Sequence, residues 1–487
     1  MSVNGLVPPA SGRRLGSSGA LFFAFAAATP LSVVVLGLPA AYAAGLRFVP
    51  WGFLVLGLLL LIFSVGYTAM ARRAPTTGPL YALIARGLGR PLGVGAAWVA
   101  LLAYNALQIG LYGAARPLLA SLGVTRPWWQ VAAACWLLVA VLGFVRVAAV
   151  GWLLAVAVLA ETVVIAGFSA ANILEPANDR ITVSIPHLSQ LDRPATGLLL
   201  VLAALSFIGF ETALGYGSAS RRATYLTVAL LTLLYVSAAW AMNLGAGPGI
   251  ASTAASRGPE LPFDLAAARL APWTVTLGRT VLLTGLVAAL VALHHTIARY
   301  LVALGHDRVL PSGLGRRAAS LTQTVVAGLV LGGAAYLGLD PQTELARRLA
   351  VSGSVGILLL LTLTSLAALI FLNRVPNGEN AAQRFLAPGV ATIALGALGY
   401  LAVVNLGALL GVDRHDPLTL IVPGGYAAAL LLGVGYGLAL RKARPIAYAG
   451  IGLSGTAVIV SPASPPIPKP REPGAHRPER INRELTP

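Results

Sequence analysis

Charge is what this chain has least of. Only 10% of its 487 residues are charged, where a soluble protein carries about 25%. Acids are the scarcer sign, 16 against 34 basic residues, for a net charge of +18. That excess would suit a nucleic-acid binder if it formed one patch. It does not: the arginines sit between apolar runs, in loops that alternate in richness, which is the positive-inside pattern of membrane proteins. Cysteine is nearly missing. The single Cys135 excludes an intrachain disulfide and a cysteine-based metal cluster. Enzyme signatures are missing as well. The chain has no Walker A loop, no HExxH, no Gly-x-Ser-x-Gly and no Cys/His set at metal spacing. No enzymatic activity, cofactor, metal or nucleic-acid partner is therefore expected, and any transport would be secondary rather than nucleotide-driven.

What is present is apolar. Hydrophobic residues make up 57% of the chain and the mean hydropathy is +0.81, so the excess must face a lipid bilayer. A span needs about 20 apolar residues. On that criterion the sequence predicts an all-α polytopic membrane protein of about 12 transmembrane helices. The expected spans are residues 19–45, 50–71, 92–122, 128–144, 147–174, 196–218, 223–245, 272–304, 322–339, 349–372, 385–410 and 418–440. A basic amphipathic stretch, 76–90, precedes the third. Residues 1–18 read as a polar leader and 441–487 as a tail, Pro-rich and disordered from 461 onward. The first apolar run is too long for a signal-peptide core and reads as a span.

Orientation follows from the flanks. Arg72 and Arg73, Arg146, Arg221 and Arg222, Arg316 and Arg317, and Arg441 with Lys442 fall on one side of the alternation. The other side is poorer and mixed with acids, as at Asp413, Arg414 and Asp416, although Arg347 and Arg348 run against the trend. Both termini are expected in the cytoplasm of a cell with this protein in its cytoplasmic membrane.

Two spans look broken. The first contains Thr29-Pro30-Leu31-Ser32-Val33, and Pro30 has no N–H and restricts the residue before it. The sixth contains Phe207-Ile208-Gly209-Phe210-Glu211, then Gly215 and Gly217. If the first ten spans are two halves of five, the breaks occupy matching positions. Paired interruptions point to an inverted-repeat transporter with its site at the midplane. The blander reading is that Gly and Pro are simply common in spans.

Polar residues inside spans are costly and mark candidate sites. Glu211 and Glu161 are deep carboxylates. Each is a candidate proton carrier or gate, or else a permanently paired structural group. Tyr104, Gln108 and Tyr112 recur every fourth residue on one helix face, with Asn105 beside them. They could line a pathway or only bond helices together. His294, with His295 and Arg299 after it, is a further proton-relay candidate. A hydrated histidine near a span end is the plainer reading.

Several stretches then resemble one family, the amino acid–polyamine–organocation (APC) permeases. They are Ala26-Ala27-Ala28-Thr29-Pro30-Leu31-Ser32; Gly66-Tyr67-Thr68-Ala69-Met70-Ala71-Arg72-Arg73 with Gly78-Pro79-Leu80-Tyr81; Phe207-Ile208-Gly209-Phe210-Glu211; and Ala298-Arg299-Tyr300 through Gly305-His306-Asp307-Arg308. The resemblance covers spans one to ten; the last two match mainly by count. It implies a five-plus-five inverted repeat, 19–174 and 196–372, followed by spans eleven and twelve (385–440), working by alternating access. By resemblance the substrate, an amino acid or related amine, binds Thr29, Pro30, Leu31, Ser32 and Val33 in span one and Phe207, Ile208, Gly209 and Phe210 in span six. A proton is the expected coupling ion, with sodium as the other possibility. Two departures stand out. Proton-coupled relatives carry a span-five cation near the position where this chain has Glu161. The linker after span six, Ser218-Ala219-Ser220-Arg221-Arg222-Ala223, has neither the acid nor the proline common in relatives. The sequence thus leaves room for a rival reading, a sensor or scaffold that keeps the fold and has lost transport. A channel is disfavoured, since no filter sequence is visible.

Overall fold

A computed structural model describes residues 17–453 except 75–78, 184, 187–191, 214–219 and 375. Residues 1–16 of the leader, the tail beyond 453, and Gly215 and Gly217 lie outside the described residues. So do Ser218 and Ala219 of the linker that follows span six.

The described chain is an all-α polytopic membrane protein. Eleven helices are long and apolar enough to cross a bilayer, and the shorter Trp128–Phe144 completes the expected twelve. Hydropathy placed them well because a spanning segment must satisfy its backbone hydrogen bonds in lipid, which an apolar helix does largely within itself. Prolines start several of them: Pro50 in Val49–Arg73, Pro91 in Arg90–Ser121 and Pro194 in Arg193–Ser206. The first helical turn has no use for the N–H that proline lacks.

Small residues let the spans approach closely, as helix packing in lipid requires. A Cβ on Gly57 would overlap Thr232 of span seven, and one on Gly353 would stand 2.6 Å from the Leu107 nitrogen of span three. Burial is graded. Span eight, Pro272–His306, has 83% of its apolar window inside the protein, while span twelve, Leu418–Ala443, has 11%. Span eight is the axis around which spans one, three, five and nine pack, and span twelve lies at the margin.

Two features add to the expected outline. The stretch read as basic and amphipathic is a short helix, Leu80–Leu88, buried on nearly every face and wedged against span ten, where Gly87 abuts the Ala367 backbone. Its arginine, Arg86, reaches out to bond the Gly452 carbonyl at 3.2 Å. Between spans seven and eight the chain forms two further short helices, Ile250–Arg257 and Leu261–Ala267, each beginning just after a proline-containing turn.

Candidate functional site

Span one is not one helix. Ser17–Ala27 ends at Ala28, Thr29 adopts a left-handed conformation at φ 47°, and helix resumes at Pro30. The resumed segment runs through wide turns at Val33–Gly37 before regular helix returns at Leu38–Ala43. A β-branched residue at positive φ is strained. Pro30 explains part of it, since it bars the preceding residue from ordinary helix.

Span six breaks in a related way. Arg193–Ser206 ends, Phe207 to Gly209 form turns, and Gly209 sits at φ 118°, a conformation suited to glycine. The two breaks touch. A Cβ on Gly209 would overlap the backbone of Ala27 and Ala28, so glycine is required here both for its dihedral angles and for the close approach.

Each break is closed by a carboxylate. Glu161 of span five accepts a hydrogen bond from the Leu31 N–H at 3.2 Å through Oε2. Glu211 accepts one from the Gly209 N–H at 2.8 Å, and its other oxygen accepts from the Tyr104 hydroxyl at 2.9 Å. Glu161 is 3% exposed and Glu211 2%. The salt bridges among the described residues involve neither. An N–H at the start of a half-helix carries partial positive charge and favours an anion, which is how carboxylates are held here without a cation.

The freed carbonyls meet a tyrosine. The Tyr235 hydroxyl of span seven faces the Ser206 carbonyl at 3.2 Å and the Ala28 carbonyl at 3.4 Å, one from each break. Its ring lies 5.2 Å from Phe207 and 5.4 Å from Phe53, and Phe53 and Phe207 are 6.3 Å apart. Phe210 packs edge-on to Phe63 at 6.1 Å. Phe207, Ile208 and Phe210 each give their N–H to a carbonyl three residues back.

The structure thus brings together the residues of both breaks, Glu161, Glu211 and Tyr104. It places the other polar residues elsewhere. Gln323 of span nine donates to both Asn105 and Gln108 at 2.8 Å, and Gln108 donates to the Leu290 carbonyl at 3.1 Å. These groups tie spans three, eight and nine together. His294 bonds to Ser320 at 2.9 Å, and among the described residues no hydrogen bond joins it to either carboxylate. His295 sits edge-on to Phe23 at 5.9 Å.

Sequence reasoning did not single out Tyr235 or Gly285. Tyr235 is one hydroxyl among several in span seven, which also holds Tyr225, so nothing in the sequence set it apart. Gly285 of span eight makes room for Glu161: a Cβ there would overlap Oε1 and stand 2.6 Å from the carboxyl carbon. Two stretches separated in sequence also meet. Tyr81 donates to Asp307 at 2.9 Å, and the same Asp307 oxygen accepts from the Gly452 N–H at 2.8 Å. The rings of Tyr81, Tyr300 and Tyr104 follow one another at 6.0 and 5.6 Å, leading back to Glu211.

A cavity of about 1050 Å³ opens at the far end of span one, lined among others by Arg47, Trp51, Trp240 and Asn243. It does not include the crossing. Neither a scan against models of known protein families nor a comparison with curated proteins finds a match to this chain.

Proposed function

We propose that this protein is a secondary transporter of the APC type, moving amino acids or related amines across the cytoplasmic membrane by alternating access. The observation that carries the reading is the contact between two broken helices deep among the spans, each break closed by a buried carboxylate. Broken helices expose N–H groups and carbonyls that a soluble substrate can bind in the middle of a membrane. Such irregular backbone is tolerated at that depth only where it is buried in protein or lines a pathway. Two deep carboxylates also add no stability that a packed apolar pair would not, so a role in transport accounts for their presence.

Proton coupling fits this arrangement better than sodium coupling. A carboxylate that holds a neighbouring segment through one hydrogen bond releases it when protonated, because a protonated oxygen loses its charge and much of its acceptor strength. Glu161 has that position relative to span one. Glu211 then acts as a gate or second proton site through Tyr104. Both termini lie in the cytoplasm in this reading.

The test is flux in proteoliposomes. With an imposed pH gradient, a panel of radiolabelled amino acids and amines should include at least one accumulated compound, and no flux of any of them overturns the proposal. Glu161→Gln should transport without dependence on the gradient. An unchanged pH dependence removes Glu161 from the coupling role.

A further inference from the structure

Three arginines converge where the arginine-rich ends of spans two and seven meet. Arg72 comes from the last turn of Val49–Arg73, and Arg221 and Arg222 come from the first turn of Ser220–Ala246. They line one cavity of about 530 Å³, a size within the range of about 300–1,000 Å³ that small ligands occupy. Several arginines on the same side of the protein are engaged. Arg73 pairs with Glu379 at 3.2 Å, Arg86 and Arg90 donate to the Gly452 and Ala449 carbonyls, and Arg316 donates to the Val145 carbonyl. Arg72, Arg221 and Arg222 have no hydrogen bond or ion pair among the described residues, and no carboxylate lines their cavity. Positive charges gathered without a counter-ion repel one another, and an anion placed among them relieves that. The Thr68 and Tyr225 hydroxyls, 3.3 Å apart, add polar groups to the wall. A guanidinium matches phosphate oxygens two at a time.

The cavity opens onto apolar surface. Leu58, Ile62, Val65, Thr68 and Arg72 recur at spacings of three and four along span two, as Arg222, Leu226, Leu230 and Leu233 do along span seven, so each set shares one helix face. Leu58, Ile62, Leu226, Leu230 and Leu233 are exposed, and the two spans pack together. The stretch from Ile62 to Arg72 is about 15 Å of helix, half of a hydrocarbon core about 30 Å thick. Apolar surface therefore runs from the arginines to the middle of the bilayer. A soluble anion would use the charges and leave this face idle, whereas a lipid with a charged phosphate uses both. The larger cavity at the other end of the same two spans has a single arginine, Arg47.

We infer that this groove holds an acidic phospholipid of the cytoplasmic leaflet, with its phosphate among Arg72, Arg221 and Arg222 and an acyl chain along spans two and seven. A phosphate bound there ties the start of span seven to the end of span two. The inference goes beyond the transporter reading and shares with it only the orientation of the chain.

The test is native mass spectrometry of the full chain, delipidated in neutral detergent and then given phosphatidylglycerol or phosphatidylcholine with the same acyl chains. The wild-type protein should bind phosphatidylglycerol more tightly by about tenfold or more. Arg72→Gln/Arg221→Gln/Arg222→Gln should bring the two lipids to similar affinity. Arg47→Gln removes an exposed arginine from the other cavity and should leave the preference unchanged. If the triple variant does not elute as a folded, monodisperse species, Arg221→Gln/Arg222→Gln takes its place, and the preference should fall by about fivefold or more. Glycerol phosphate, the headgroup without its chains, should bind more weakly than the lipid by about tenfold or more. Equal affinity of the wild-type protein for the two lipids overturns the inference, and so does a preference kept in the arginine variant or lost equally in Arg47→Gln. Glycerol phosphate binding as tightly as the lipid assigns the cavity to a soluble anion and overturns it too. A wild-type dimer that excludes the lipid, and that dissociates in the arginine variant, assigns the groove to a second copy with the same result. None of these outcomes bears on transport, which flux alone decides.

Discussion

The two helix breaks are closed from different distances. At Gly209 the seal is local: Glu211 lies two residues on and takes the Gly209 N–H at 2.8 Å. At Thr29 the seal comes from 130 residues away, where Glu161 takes the Leu31 N–H at 3.2 Å. A local seal moves with its own segment. A seal from another span holds only while the two spans keep their places, so the span-one break is the one that relative movement can open. The backbone says the same. Gly209 adopts its left-handed conformation without strain, and Thr29 adopts one that its branched side chain resists.

Substitutions can break this contrast or sharpen it. The largest effect is expected at Gly209. Alanine there meets both an unfavourable φ and the backbone of span one, which together should cost about 3 kcal/mol or more. Denaturant or thermal unfolding in detergent reads the loss, and a folded protein of unchanged stability would mean the breaks do not touch. Next come the carboxylates. Glu211→Ala orphans two donors, Gly209 N–H and Tyr104 hydroxyl, at about 2–4 kcal/mol; Glu161→Ala orphans one, at about 1–3 kcal/mol. The order of the two measured losses is the prediction, and a reversed order would place the more important seal at span one.

Smaller effects remain. Tyr235→Phe removes the hydroxyl shared between Ala28 and Ser206 and should cost about 1 kcal/mol. A loss only in transport, with stability kept, would place the hydroxyl on the substrate path instead. The smallest change has the opposite sign. Thr29→Gly relieves the left-handed strain and gives back part of it as chain entropy, for a net gain of about 0.5 kcal/mol. A destabilised Thr29→Gly would show that the threonine side chain holds the break by contacts rather than straining against it.

Much of this architecture can be read from sequence, for a physical reason. A span must be long, apolar and self-bonded, and those demands are local. The expected 147–174 and the observed Val147–Leu174 coincide, and Thr29-Pro30 announces its break through proline chemistry alone. What could not be read depends on contacts across the chain. Tyr104 finds Glu211 at a separation of 107 residues, which leaves no periodicity to detect. Gly285 was invisible because its role is an absence of atoms opposite a residue on another span. The helix Leu80–Leu88 is a further case. Its spacing did not say that Arg86 reaches a distant carbonyl while Tyr81, Ala82 and Ile84 are enclosed. The Asn105–Gln108–Gln323 knot shows the limit of a face argument: regular spacing says which residues share a side, not what that side meets.

Asp307 offers a last consequence. One of its oxygens serves two donors, the Tyr81 hydroxyl and the Gly452 N–H. The end of span eight, the buried helix Leu80–Leu88 and the turn after span twelve are therefore pinned at a single atom. Pulling any one away breaks a charge-assisted bond in a dry setting, the stronger class of hydrogen bond. That corner of the molecule behaves as a welded joint, whereas among the described residues one hydrogen bond, from the Leu31 N–H to Glu161, ties the span-one break to span five.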